Sequence, residues 1–285
     1  MRIGNLAGRL VLLTETGAID VAAASGGRFS PEPTALYDQW DDLLDWSARV
    51  DPAAARPYEE SALLAPVPEP RQVFAVALNY RPHTAEAGYE DPAEPLVFTK
   101  FPSCVTGPYE TVELPVGHVD WELELVAVIG REAYRVPEEK GWDPVVAVTA
   151  GQDLSERIIQ LGGRPAQFSL GKSFPGFGPV GPALVSTDEL ADREDLELTC
   201  ELNGEVVQRD RTSNMIFPVP KLVAHLSAVC PLRPGDLIFT GTPAGVGNRR
   251  VPQRFLGRDD ILVSKIAGIG EMRHRFREAG SGESR

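Results

Sequence analysis

Residues 118–130, HVDWELELVAVIG, constrain the fold of this chain more than any other stretch, because carboxylates stand where a buried strand carries apolar side chains. Successive side chains of a strand point to opposite faces, so Glu122 and Glu124 share one face while Leu123 and Leu125 cover the other. Asp120 has the same parity. Carboxylates aligned on one face with no lysine or arginine among them repel one another, and such a face is tolerated only if fully solvated or neutralised by a cation. A divalent metal is the expected neutraliser.

The 285 residues suffice for a sizeable core, in one large domain or in a large and a small one. Lys and Arg number 28 against 41 Asp and Glu, a net charge of −13 that disfavours nucleic acid and anionic membrane as partners and favours a small molecule or a protein. Cys104, Cys200 and Cys230 are scattered without CxxC spacing, which suggests neither a disulfide framework nor a thiolate metal site and fits a reduced, cytoplasmic protein. No stretch has transmembrane length, and the apolar run at 10–13 breaks at Thr14-Glu15-Thr16-Gly17, unlike a secretory leader.

Residues 9–13 and 18–21 flank a turn at Thr16-Gly17 as a hairpin, and residues 38–50 place Leu43, Leu44 and Trp46 at helical spacing. The stiff Pro66-Val67-Pro68-Glu69-Pro70 then separates a small N-terminal domain, 1–65, from a catalytic domain, 66–285. An apolar run at 73–78 reads as a buried strand delivering Asn79-Tyr80-Arg81-Pro82-His83-Thr84-Ala85-Glu86. On a helical turn His83 and Glu86 share a face, as a functional pair or an incidental surface ion pair. A strand at 145–149 ends near Asp153, which is either a further ligand or, with Glu156 three positions on, a helix N-cap. The Gly- and Pro-rich residues 168–182 contain Gly171-Lys172-Ser173-Phe174, a lysine in a pocket wall or an exposed loop. Alternation on either side of Asn203-Gly204 is a hairpin signature, 221–229 an amphipathic helix, 237–239 and 261–266 strands, and 278–285 a polar tail. The glycine-rich residues 240–247 lack the Lys-Ser/Thr ending and following helix of a phosphate loop, so a P-loop is rejected.

Taken in order, Asn79-Tyr80 with His83 and Glu86, Asp120-Trp121-Glu122-Leu123-Glu124-Leu125, Gln152-Asp153-Leu154-Ser155, Gly171-Lys172-Ser173-Phe174, Asn203-Gly204-Glu205, Pro234-Gly235-Asp236 and Thr240-Gly241-Thr242-Pro243-Ala244-Gly245-Val246-Gly247 resemble the fumarylacetoacetate hydrolase (FAH) family. The resemblance runs from about residue 73 to 270. It implies an α+β, β-rich fold, a mixed β-sheet roll with a small N-terminal domain, commonly assembled as a homodimer. By the same resemblance Glu122, Glu124 and Asp153 bind one Mg²⁺ or Mn²⁺, with Ca²⁺ also compatible with hard oxygen donors. His83 and Glu86 would form a water-activating dyad, Lys172 would offset oxyanion charge, and Tyr80, Arg157, Gln160 and Thr242 would contact substrate.

The implied reaction is hydrolysis of a C–C bond in a 2,4-diketo acid of the acylpyruvate or diketo-deoxy sugar acid type. Residues 160–169, with Gly162-Gly163 and Pro165, resemble the sugar acid subgroup. Decarboxylation or isomerisation of a 2-oxo acid is the alternative, since all three reactions pass through an enolate; a non-catalytic accessory protein is a further one. Ile158, where many relatives are acidic, and Pro175, where many have Asp, depart from the family pattern at positions that shape substrate contacts rather than metal binding.

Overall fold

The computed structural model describes residues 1–280. The central strand, Leu123–Ile129, is buried along its whole length on both faces. Leu123, Leu125, Ala127 and Ile129 enter one core, while Val126 and Val128, on the face of Glu124, enter a second. A strand buried on both sides needs a near-continuous apolar run. Its acidic end is therefore the exception that locates the site.

This strand lies inside an eleven-stranded mixed sheet, ordered Gly17–Asp20, Arg9–Thr14, Arg2–Leu6, Gly178–Ser186, Val145–Gln152, Leu123–Ile129, Leu237–Phe239, Val73–Ala77 and Leu96–Thr99. Leu63–Leu64 pairs with Arg2–Leu6, and Val105–Thr106 with Gly178–Ser186. A five-stranded sheet, Glu205–Arg211, Glu197–Leu202, Ile261–Ile266, Gly270–Glu278 and Thr111–Leu114, sends Leu198, Leu262, Met272 and Phe276 into the first core. The fold is thus α+β and strand-rich, with short helices at its margins. Strands from before and after residues 66–70 join this one sheet. Arg2 pairs with Val185 and Ile3 with Leu184, and N-terminal Leu10, Trp40 and Leu43 share the second core with Val73 and Phe239.

The hairpin Glu197–Leu202 to Glu205–Arg211 turns through Asn203 and Gly204 at φ 54° and 85°, the paired positive angles that a two-residue turn needs to follow strand twist. The two longest strands escape sequence patterning. Gly178–Ser186 emerges from the Gly- and Pro-rich segment expected to be a loop; a register shift opposite Val148 and Ala150 accommodates Pro182. Gly270–Glu278 buries Met272, His274 and Phe276 alternately with outward-facing arginines, and its charge conceals the alternation. Glu278 of the expected polar tail closes this strand, and residues 281–285 of that tail lie outside the described residues.

Asn79 ties the segment bearing His83 and Glu86 to the sheet. Its Nδ2 donates to the carbonyls of Phe217 (3.0 Å) and Thr240 (2.7 Å), and its Oδ1 accepts from the Phe217 N–H (2.8 Å). The side chain is fully buried, so truncation strands three backbone groups without water. Asn79→Ala is expected to cost about 2–4 kcal/mol in urea unfolding. A loss below about 1 kcal/mol would show that these bonds do not anchor the segment.

Candidate active site

Antiparallel pairing of Leu123 with Gln152 and Glu124 with Gly151 brings the acidic end of one strand beside the end of its neighbour. Asp153 follows directly; its N–H donates to the Glu122 carbonyl at 2.9 Å, and the Glu122 N–H donates to Gln152 Oε1 at 2.9 Å. One oxygen each of Glu122, Glu124 and Asp153 then lies within 4.8 Å of the others, and all three side chains are buried. Asp153 does not cap a helix. Helix Arg157–Leu161 is capped by Glu156, which accepts from the N–H groups of Ile158 (3.2 Å) and Ile159 (2.7 Å).

Cations from distant segments reach this acidic cluster. Lys172 Nζ bridges Glu122 Oε2 at 2.7 Å and Asp153 Oδ2 at 2.6 Å. Lys100 Nζ donates to Asp153 Oδ1 at 2.6 Å and to the Lys172 carbonyl. Arg157 Nη1 contacts Glu122 Oε1 at 2.7 Å. Burial opposes ionisation of Glu122, but the charges of Lys172 and Arg157 outweigh it and hold its carboxyl well below the ordinary value. Glu124 behaves oppositely: burial and then the negative charges of Asp153 and Glu122 raise it well above the ordinary value, although it accepts a hydrogen bond from the Gly241 N–H at 2.7 Å.

Asp120 shares the acidic parity yet stands apart from the cluster. It sits in the short strand Val119–Asp120 and accepts from Arg157 Nε (2.9 Å) and Nη2 (2.6 Å) and from the Gly247 (2.7 Å) and Asn248 (2.9 Å) N–H groups. With every lone pair engaged, it orients Arg157 and the glycine loop.

That loop serves acids of the protein itself. Its N–H groups bind Glu124 through Gly241, Asp120 through Gly247, and both carboxyl oxygens of Glu86 through Gly245, at 3.1 and 3.2 Å. Gly245 has φ +104°, and a Cβ there would lie 2.0 Å from the Val207 carbonyl, so both backbone shape and space demand glycine. Glu86 projects from the helix Arg81–Ala87 with His83, whose Nδ1 lies 3.3 Å from Glu86 Oε2. Burial works against the Glu86 charge, but the His83 bond, the Gly245 N–H and the charges of His83 and Arg249 bring its carboxyl below the ordinary value.

Beside the cluster opens a cavity of about 460 Å³. Its polar wall includes His83, Glu122, Arg157, Gln160, Lys172 and Thr242, and its apolar wall Leu96, Val97, Phe98 and Phe168. Tyr80 is the site candidate that the geometry removes from this wall. Its extended backbone precedes the helix, its side chain enters the first core fully buried, and its hydroxyl has no hydrogen-bond partner among the described residues. Thr242 reaches the cavity but uses its hydroxyl structurally, donating to the Leu123 carbonyl (2.9 Å) and accepting from Gln208 (2.9 Å).

A family model described as fumarylacetoacetate (FAA) hydrolase C-terminal matches residues 72–277. The chain belongs to the fumarylacetoacetate hydrolase family. The mitochondrial oxaloacetate tautomerase FAHD2A of Bos taurus is 40% identical over 216 residues, 75% of this chain and 69% of that protein. Among solved structures, a Mycobacterium smegmatis protein provisionally assigned as HpcE is 52% identical, with a TM-score of 0.91 over 98% of this chain and 100% of that one. Maleylpyruvate hydrolase from Sphingobium sp. SYK-6, solved with manganese(II) and pyruvate, is 27% identical, with a TM-score of 0.81 over 98% and 99%.

Family motifs mark the acids and Lys172 but say nothing of Lys100, whose neighbours Thr99 and Phe101 give it the look of an edge-strand surface lysine. The donor set suits a hard divalent cation: three buried carboxylates offer only oxygen, and Glu124 has no cation partner among the described residues. Because the folded-state value of Glu124 is raised, its own contribution to metal-free stability is fully present below the ordinary glutamate range and is lost as pH rises through the folded value. Glu124→Gln removes that penalty. Metal-free variant at pH 8 should melt roughly 2–4 °C above wild type and lose any rise that Mg²⁺ or Mn²⁺ gives wild type. A melting point at or below wild type would contradict the charge assignment.

Proposed function

We propose that this chain is a divalent-metal-dependent enzyme that interconverts the keto and enol forms of a short 2-oxo acid. One observation carries the reading: His83, backed by Glu86, faces the same cavity as the buried Glu122 and Lys172. A proton-transfer pair thus opposes a charged floor. The likeness to the bovine oxaloacetate tautomerase supports this class of reaction, and the manganese in the Sphingobium structure supports Mn²⁺ or Mg²⁺ at Glu122, Glu124 and Asp153.

Bound there, the cation supplies Lewis-acid polarisation of a 2-oxo carbonyl, which acidifies the adjacent C3–H. His83 turns Nδ1 to Glu86, so Nε2 is the atom left to carry the proton between C3 and the enol oxygen. Glu86, held ionised, stabilises the imidazolium as it forms. Lys172 directs two N–H groups at Glu122 and Asp153 and keeps a third for a substrate oxygen. Arg157 is committed to Asp120, Glu122 and Gln160; by binding Gln160 Oε1 at 2.8 Å it leaves the Gln160 amide N–H groups for substrate.

Hydrolysis of a C–C bond in a 2,4-diketo acid is the second reading. It is favoured by a cavity of about 460 Å³, roomier than a four-carbon acid requires, and by a dyad equally suited to deprotonating water. Mg²⁺- or Mn²⁺-loaded protein separates the two when offered enol-oxaloacetate and acylpyruvates, with enol absorbance followed and products identified by NMR. Faster enol decay with no new acid supports the tautomerase, pyruvate plus an acyl acid supports the hydrolase, and no acceleration of either rejects both. In whichever reaction is found, His83→Asn should lower kcat roughly 10²–10⁴-fold. Glu122→Gln should abolish the bound metal measured by elemental analysis; retention of both metal and turnover would dismiss the centre.

A further inference from the structure

We propose that Arg249 recognises a second carboxylate, making the site selective for 2-oxo dicarboxylic acids over monocarboxylic acids of the same length. The inference rests on the 2-oxo acid reading above. Three permanently charged cations line the cavity: Arg157, Lys172 and Arg249. Arg157 is paired with Asp120 and Glu122, and Lys172, with Glu122 and Asp153, is held at the charged floor away from a distal group. Arg249 is exposed and makes no ion pair or side-chain hydrogen bond among the described residues. Its acidic neighbour Glu86 is already engaged by His83 and the Gly245 N–H, so the guanidinium fork stays available.

The position of Arg249 is fixed by its backbone. It ends the short turn Gly247–Arg249, whose first two N–H groups are held by the buried Asp120 carboxylate at 2.7 and 2.9 Å. The Gly247 carbonyl accepts from the Arg254 N–H at 3.1 Å, and the Arg249 N–H donates to Val246 at 3.2 Å. A Cβ at Gly247 would lie 1.8 Å from the Arg254 carbonyl, so the turn has little room to shift. Arg249 is thereby tied to Asp120, two residues before Glu122. A 2-oxo acid placing its carboxylate and carbonyl on the charged floor extends past Leu96, Val97 and Phe98, which offer no charge to a distal group. Arg249 does offer one, in a geometry that binds carboxylate through two parallel N–H groups.

Titration calorimetry of the Mg²⁺-loaded full chain with 2-oxoglutarate and 2-oxovalerate tests this, since the two ligands share chain length and differ in the terminal carboxylate. Wild type should bind 2-oxoglutarate at least roughly tenfold more tightly, and Arg249→Gln should bring the two affinities level. Arg249→Lys should keep part of the preference. A wild type without preference, a preference surviving in Arg249→Gln, or equal weakening of both ligands by that variant would each overturn the inference while leaving the 2-oxo acid site standing. Failure of both ligands to bind wild type would instead remove the 2-oxo acid reading, and the role of Arg249 with it.

Discussion

The Lys172 ammonium between Glu122 and Asp153 is the contact on which the interior of this protein depends. Carboxylates taken out of water cost several kcal/mol each unless paired and hydrogen-bonded. Four of them, Asp120, Glu122, Glu124 and Asp153, lie buried together with Lys100, Arg157 and Lys172. The shortfall of one positive charge falls on Glu124, the acid pushed towards its neutral form. A divalent cation would turn that local deficit into a surplus. A chain of net charge −13 could then draw an anionic acid into one small positive region.

The glycine loop distributes this arrangement across the molecule. Its N–H groups meet Glu124 of the buried acidic cluster, Asp120, which orients Arg157, and Glu86, the partner of His83. Three separate segments are thus indexed to one backbone. Glycines at 241, 245 and 247 are required by close approach to neighbouring groups, not by any phosphate.

The sequence discloses the parts of the site that follow strand parity or short spacing. Glu122 and Glu124 share a parity, His83 and Glu86 a helical face, and Asp153 lies one residue beyond an apolar strand. Parity alone misplaces Asp120, because the chain breaks between Val119–Asp120 and Leu123–Ile129 and hands that carboxylate to Arg157. Lys100 and Arg249 leave no local trace, since their significance comes from partners brought near by the sheet and the glycine loop. Much of the fold is equally legible, from the Asn203-Gly204 turn to the buried strand Val73–Ala77. Gly178–Ser186 and Gly270–Glu278 are hidden by prolines and arginines that the strands accommodate through a register shift and an exposed outer face.

The pairing of Arg2–Leu6 with Gly178–Ser186 has a consequence for solubility. Gly178–Ser186 is buried almost throughout; one flank is filled by Val145–Gln152, and the other by Val105–Thr106 near its start and Arg2–Leu6 near its end. Stripped of that first strand, its end would offer unpaired N–H and carbonyl groups amid apolar side chains, a template for joining another molecule. The opening residues of the chain therefore act as a guard against self-association, a duty independent of catalysis.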